Sequence, residues 1–473
     1  MSKLPDIKTN FAEWYQEIVQ QADLADHAPV RGCIVIKPYA TAIWENIQSM
    51  LDARIKATGH QNALFPLLIP QSFIAKEAKH IEGFAPELAI VTHGGGKELE
   101  EPLVVRPTSE TMIHYMFAQW IKSYRDLPLK INQWGNVMRW EKRPRPFLRT
   151  TEFYWQEGHT AHETLQEAEQ EVLMMLAEFV NFAQNVLAIP VITGRKTKSE
   201  QFAGAEATYT FEGFMLDGKA LQMGTSHLLS QNFAKSFEMR FQNKDGVMEY
   251  PHLTSWCGCT TRLIGAIIAC HGDQKGLILP PQIAPIQVVI VPIFKNEDQK
   301  ALVLKKAFEL ENILKQAGVR VFVDQKEDTP GAKYYHWELK GVPLRLELGP
   351  RDIEQNVATA SLRTRDKKQA FAFDSLVTLV QDALQCVHHD LFVRAQERYA
   401  QQWNKIEKLD KFGNLLQDKA GIYQAGWCQS GQCETLLKDF QGSIRCIIDS
   451  QDFKECFACS MPSQGDVIIG KSY

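Results

Sequence analysis

Apolar positions recur along this chain in two rhythms. Over 39–58 and 162–187 they return every three or four residues, the period of an amphipathic helix. Over 102–106, 137–156 and 209–215 they alternate, or cluster among β-branched and aromatic residues, which predicts strands. Turn dipeptides such as Asp217-Gly218 join the strands, so 1–284 is expected to be an α+β unit, an antiparallel sheet flanked by helices. Past Pro280, Pro281 and Pro285 the texture changes. IQVVIVPIF (286–294) reads as a buried strand. A helix follows, with Asn296 as N-cap, Glu297 and Asp298 in its first turn and Gly318 past its end. VRVFVD (319–324), a helical stretch over 333–340 and PLRLELG (343–349) complete a strand–helix–strand alternation, which predicts an α/β domain over 285–386. The remainder, 387–473, opens with a charged helix near 388–411 and closes in a cysteine-rich tail, a small α+β unit.

Composition narrows the function classes. A chain that is 45% hydrophobic and 23% charged can bury a sizeable core. Its net charge of −4 excludes a globally basic nucleic-acid binder, so any phosphate site must be a local patch. The first residues lack a basic-then-apolar leader, and the apolar runs are too short to span a bilayer; a cytoplasmic location is expected, with no membrane partner. Ten cysteines at this length do not read as a disulfide scaffold. Cys428, Cys433, Cys456 and Cys459 form C-x4-C and C-x2-C pairs, which can close a structural tetrahedral Zn2+ site or stand as four buried thiols. Cys446, in IRCII, fits a buried strand. GDVIIGKS (465–472) has the spacing of a phosphate loop, but no helix can follow its lysine, so it is rejected as one.

The chemistry concentrates in MRWEKRPRPFLRTTEF (138–153). Arg139 and Glu141, two apart, share one face of a strand. After a turn over 142–146, Arg149 lies on the returning strand. Guanidinium groups on an inner sheet face are costly unless an anion binds there; the alternative is a pair of salt-bridged surface strands. Other segments favour the anion. VVRPTSE (104–110) sets Arg106, Thr108 and Glu110 at a strand end, and QMGTSH (222–227) sets Gln222, Thr225 and His227 just after a strand. TTRLIGAIIA (260–269) opens an apolar helix with Arg262. Together they describe a triphosphate site built without a phosphate loop.

This set resembles the class II aminoacyl-tRNA synthetases, and among them the prolyl-tRNA synthetase family of archaeal/eukaryotic-like type, over essentially the whole chain. Helix 39–58 with NALFPLLIP resembles motif 1, with Pro66 at a dimer interface. RWE…FLRTTEF resembles motif 2 and TTRLIG motif 3. RPTSE, FAGAEATYT (202–210), GTSHLLSQNF (224–233), KGVPLRLELGPRD (340–352) and the cysteine-bearing tail ending in Tyr473 are specific to the family. The resemblance implies a class II catalytic domain over 1–284, an anticodon-binding α/β domain over 285–386 and a zinc-binding-like domain over 387–473. It implies a homodimer acting on L-proline, ATP with Mg2+ and tRNA(Pro), with a structural Zn2+ held by Cys428, Cys433, Cys456 and Cys459. By the same resemblance Arg139 grips the α-phosphate and the proline carboxylate, and Arg262 contacts the triphosphate. Glu141, Arg149, Thr150, Gln222, Thr225 and Thr260 complete the ATP site, Gln222 near Mg2+. Thr108, Glu110 and His227 hold the amino acid, and Trp155 and Phe202 wall its ring. Glu338, Arg345 and Lys367 match positions that read anticodon guanines, whose edges offer acceptors to a cation and donors to a carboxylate. The alternatives are a catalytically inactive synthetase-like tRNA-binding protein, against which the intact Arg139, Glu141 and Arg262 argue, and a sister class II enzyme, against which RPTSE with Trp155 and Phe202 argues. One departure stands out: SWCGCTTR (255–262) carries one residue more than the family pattern, which is expected to bulge the strand before Arg262 and to bear on Thr260. Its C-x-C pair has no second ligand pair nearby in sequence to make a metal site.

Overall fold

The computed structural model describes residues 4–74, 88–410, 415–416 and 420–473. Its first unit carries helices α1 (Phe11–Gln21), α2 (Pro38–Ala57) and α3 (Glu110–Trp120), then strands β1 (Leu129–Met138) and β2 (Glu152–His162). Helix α4 (Leu165–Asn185) is followed by β3 (Ile192–Arg195), β4 (Ala207–Phe214), β5 (Ala220–Ser230), β6 (His252–Thr260) and α5 (Arg262–His271). The strands pair antiparallel in the order β3-β4-β5-β6-β2-β1. Helix α4 starts where Thr164 and Glu167 form a reciprocal capping box. Its apolar side, with Met175, Phe179 and Phe182, shares one buried core with Trp256 of the sheet and with α1, α2 and α5. The sheet's other face is left to the site.

The second unit holds β7 (Val288–Pro292), α6 (Glu297–Gln316), β8 (Val321–Val323), α7 (Pro330–Leu339), β9 (Leu344–Leu348), β10 (Val357–Leu362) and β11 (Gln369–Ala372). Its sheet, in the order β8-β7-β9-β10-β11, is parallel among the first three strands and antiparallel beyond. Asn296 caps α6 as its sequence predicts, accepting from the Gln299 N–H at 2.9 Å. The charged helix expected near 388–411 is instead α8 (Leu376–Gln402). It begins earlier because Leu376, Val380, Leu384 and Val387 bury in the α/β core. It ends earlier because the chain turns extended at β12 (Trp403–Lys405), which pairs with Ile422–Gln424; residue 411 lies outside the described residues.

The tail adds β13 (Ile422–Trp427), β14 (Ser443–Ile448) and β15 (Gly465–Gly470). The phosphate-loop spacing at 465–472 is thus a strand followed by Lys471, in keeping with its rejection, and Cys446 is buried in β14. These strands join the catalytic sheet: β14 bridges β3 through Ile447 and Arg195, making, among the described residues, one sheet of eleven strands, the eleventh being Gln61–Asn62 beside β1. Behind that seam the fully buried Glu212 receives Lys196 Nζ at 2.8 Å and Arg445 Nε and Nη2 at 3.1 and 2.9 Å. Removing one member of such a buried set strands a charge, at a cost of about 3–5 kcal/mol. No helix among the described residues is long and apolar enough to cross a membrane.

Candidate active site

The open face of the sheet forms the floor of a cavity of about 380 Å³. Every residue that the resemblance implies for the proline and ATP sites lines it: Thr108, Glu110, Trp155, Phe202 and His227; Arg139; and Glu141, Arg149, Thr150, Gln222, Thr225, Thr260 and Arg262. Arg106, also read toward a triphosphate, does not line it: its guanidinium donates to the carbonyls of Asn136 at 2.7 Å and Phe65 at 2.9 Å. Strand register explains the gathering. His227 of β5 and His159 of β2 flank Ser255 of β6; Thr225 pairs with Cys257; Trp155 pairs with Thr260.

The segment joining β1 to β2 departs from the expected hairpin. Arg139 and Arg149 lie just outside the strands, and the tip closes between Arg145 and Arg149, their backbones bonded at 2.6 and 2.9 Å. Phe147 there takes a φ of +60°, the tight turn that lets both phenyl and Leu148 bury beneath the loop. Glu141 faces the cavity and receives Arg149 Nε at 3.2 Å. Arg139 donates from Nε to the Pro107 carbonyl at 2.9 Å and lies over Phe153 and Trp155, 5.4 and 5.5 Å from their ring centres. Solvent reaches it through the cavity mouth, yet surrounding protein lowers its pKa, against the pull of Glu110, Cys257 and Glu157. Arg262 donates to the carbonyls of Leu148 and Gln222, both at 3.2 Å, and its own N–H is received by Thr260 Oγ1 at 3.0 Å. Burial lowers its pKa, and the positive charges of Arg139 and Arg149 lower it further. A carbonyl orients a guanidinium without neutralising it, so this end of the cavity favours a polyanion.

The other end is built to hold a small cation. Thr108 Oγ1 donates to Glu110, and Ser255 Oγ faces the same carboxylate at 3.5 Å. His227 shares hydrogen bonds with Thr208 at 3.0 Å and Thr225 at 2.9 Å; burial, with His159 nearby, pulls its pKa down to about 3 and keeps the ring neutral. Phe202 packs on that ring at 4.7 Å. Sequence reasoning missed Phe153, Glu157, His159, Ser255 and Cys257, which also line the cavity. The signal was alternation: with Trp155 inward, Phe153, Glu157 and His159 must share its face. The bulge expected before Arg262 is present between Trp256 and Cys259.

Two further clusters lie outside this cavity. In the α/β unit a cavity of about 180 Å³ is lined by Glu338, Arg345, Arg363 and Lys368. Arg345 is held by Glu338 at 3.0 Å and by Glu347 at 3.1 and 3.2 Å, and lies 4.0 Å over the Tyr334 ring. Lys367 is exposed and does not line it, whereas its neighbour Lys368 does and pairs with Glu347 at 2.8 Å. In the tail the sulfur atoms of Cys428, Cys433, Cys456 and Cys459 all lie within 4.8 Å of one another, Cys428 being 3.7 Å from Cys433 and 3.6 Å from Cys459. A tetrahedron of thiolates about 2.3 Å from a Zn2+ has edges of about 3.8 Å, so the four residues fit that ion. Burial works to raise the Cys456 thiol, but N–H groups from Ala458, Cys459 and Cys428 bring it down to about 7.

Three family models match the chain in turn: a tRNA synthetase class II core domain (G, H, P, S and T) over 91–271, an anticodon-binding domain over 287–383, and a prolyl-tRNA synthetase C-terminal domain over 409–473. The chain is similar to a proline--tRNA ligase of Acetoanaerobium sticklandii, at 49% identity over 99% of this chain and 98% of that one. It is similar to another of Chloroherpeton thalassium, at 50% identity over 100% and 99%. Among solved structures it is similar to prolyl-tRNA synthetase from Cryptosporidium parvum complexed with halofuginone and AMPPNP, with a TM-score of 0.94 and 42% identity over 100% and 99% of the two chains. The same synthetase complexed with L-proline and AMP gives 0.92 and 40%, over 99% of each.

Proposed function

This chain belongs to the prolyl-tRNA synthetase family of class II aminoacyl-tRNA synthetases, and from that premise we propose how its residues divide the reaction. It activates L-proline with ATP to prolyl-adenylate and pyrophosphate, then transfers the prolyl group to the 3′ end of tRNA(Pro). Glu110, steadied by Thr108, takes the ammonium group; Trp155 and Phe202 wall the ring, and neutral His227 closes the pocket without competing charge. Arg139 spans the proline carboxylate and the ATP α-phosphate, so that a carboxylate oxygen meets phosphorus in line with departing pyrophosphate. Arg262 stabilises the charge that gathers on the triphosphate. No protein nucleophile is needed; catalysis is positioning and electrostatics in an enclosed site. Glu141, Arg149, Thr150, Thr225 and Thr260 line the nucleotide end. Gln222, which lines the cavity, would face Mg2+, and the ion when bound would neutralise phosphate charge. The α/β domain, with Glu338, Arg345 and Lys367, reads the anticodon.

The observation that carries this reading is a single cavity with a carboxylate at one end and two guanidiniums oriented by carbonyls at the other. Pyrophosphate exchange run over a panel of amino acids tests it. Proline should drive exchange best; a better substrate, or none at all, overturns the reading and in the second case revives an inactive tRNA-binding protein.

The sulfur geometry supports a structural Zn2+ at Cys428, Cys433, Cys456 and Cys459. Metal analysis should find about one zinc per chain, and the Cys428→Ser/Cys456→Ser variant should lose it; equal zinc in both disproves the site. Leu64 and Leu67, 86% and 42% exposed on either side of Pro66, support a homodimer through motif 1, tested by light scattering. The protein is assigned to the cytoplasm, where its tRNA and ATP are.

A further inference from the structure

Strand β6 carries the centre of the cavity floor. Ser255 faces the cavity, Trp256 turns to the core against Phe179 at 5.7 Å, and Cys257 faces the cavity again. Regular alternation would then send Thr260 to the core side. It does not go there, because two successive residues, Gly258 and Cys259, both occupy the core side at the bulge. A Cβ on residue 258 would lie 2.1 Å from Phe179, so glycine is required, and its N–H is received by Gln156 Oε1 at 3.0 Å. The bulge therefore lets Cys257 and Thr260, three apart, face the same cavity.

The floor has three rungs across the sheet. The first is His159–Ser255–His227, beside Glu110. The third is Trp155–Thr260, beside Arg262. Cys257 stands alone on β6 between them, paired with Thr225 and near enough to Arg139, Arg262 and Glu157 to feel all three charges. On the flanking rungs Trp155 and His159 are 6% and 1% exposed, and both line the cavity.

We propose that Cys257 is a positioning residue of the reaction itself: its small, uncharged thiol is the floor on which the amino-acid carboxylate and the α-phosphoryl group are brought together. The proposal rests on the division of the cavity given above. Burial pushes the thiol up to about 12, so it stands there protonated, donating to the Cys259 carbonyl at 3.7 Å, and adds no charge to the site. Side chains of other sizes at this position would leave the two binding ends intact and change only the distance between the reacting groups. An error of about 1 Å in such a distance costs on the order of 10²-fold in rate.

Two experiments test this. In the first, pyrophosphate exchange is measured for Cys257→Ala, Cys257→Val and Cys257→Leu, with unfolding midpoints alongside. The expected result is a kcat that falls with added bulk, about tenfold for valine and on the order of 100-fold for leucine, with a smaller loss for alanine, while KM for proline and ATP each stay within about threefold. A kcat unchanged in the leucine variant, or a loss carried by either KM, overturns the proposal. The second needs no variant to fold. An adenosine–proline conjugate with a vinyl sulfonamide in place of the mixed anhydride is incubated with the wild-type protein. The Cys257 sulfur bonds to the terminal alkene carbon, the thiol proton passes to the adjacent carbon, and nothing leaves. Peptide mapping should find one adduct, on Cys257, suppressed by excess proline with ATP. Because the thiol stands protonated, addition is slow and should quicken as pH is raised and the thiolate fraction grows; an adduct on another cysteine overturns the proposal. Wild-type protein without proline-dependent exchange would instead sink the functional reading, so the two failures are distinguishable.

Discussion

In the larger cavity Arg139 and Arg262 are held by backbone carbonyls, whereas in the smaller one Arg345 is held by two carboxylates. The residue type is the same and the consequence differs. A carbonyl fixes direction and leaves the charge available, which suits a triphosphate. A carboxylate fixes direction and cancels charge, which leaves donors and acceptors side by side with little net field. Such a surface is suited to base edges rather than phosphates. Lys368 on Glu347 and Arg363 on Asp273 extend the same pairing around the smaller cavity.

The strongest way to break this contrast is to remove an uncompensated charge. Arg139→Ala or Arg262→Ala should each lower proline-dependent pyrophosphate exchange by about 10²–10³-fold, the range for losing one preorganised donor to developing charge, with little change in the unfolding midpoint. An active, well-folded Arg139→Ala variant would refute the assignment. A smaller effect is expected at the paired site. Glu338→Ala or Arg345→Ala should cost tRNA charging about 1–3 kcal/mol, or about 5–150-fold in kcat/KM, and leave exchange without tRNA intact. If exchange falls in parallel, the two cavities are not separate in function. The smallest effect concerns protons. His227 and His162 are buried with pKa values pulled down to about 3 and about 4. The unfolded chain takes up these protons below about pH 6.5 while the folded chain refuses them. Their contribution is therefore complete above pH 6.5 and is lost as pH falls toward the folded values. Each should cost up to about 1.4 kcal/mol per pH unit in that window. Urea midpoints measured at pH 7.5, 6 and 5 should fall, and His162→Gln should flatten the slope; a midpoint independent of pH contradicts neutral burial.

How much of this could be read from the sequence depended on whether charge stood against its background. Arg139, Arg149 and Arg262 could be read because each interrupts an apolar or aromatic run. Asn296 could be read because a helix needs its cap and the cap is local. Glu157 and His159 were hidden by their neighbours: within QEGHTAH they look like an ordinary polar strand, and only the inward placement of Trp155 gives their direction. Lys367 and Lys368 differ by one position in a connection without period, so no pattern tells which of them lines the smaller cavity. The early start of α8 was masked because burial in the α/β core, not helical charge, decides where it begins. The union of the two sheets could not be read at all, since it rests on bridges between residues far apart in the chain, Arg195 with Ile447 and Ala220 with Ser472.

That seam sets an order of assembly on the ribosome. Strand β3 is synthesised with the catalytic sheet, but the strand that covers its outer edge, β14, emerges only after the whole α/β domain has been made. Throughout that interval β3 presents unpaired N–H and C=O groups, and Glu212 beside it has Lys196 but not yet Arg445. A half-made chain is thus an open template for pairing with other chains, and it is closed by segments that translation supplies late.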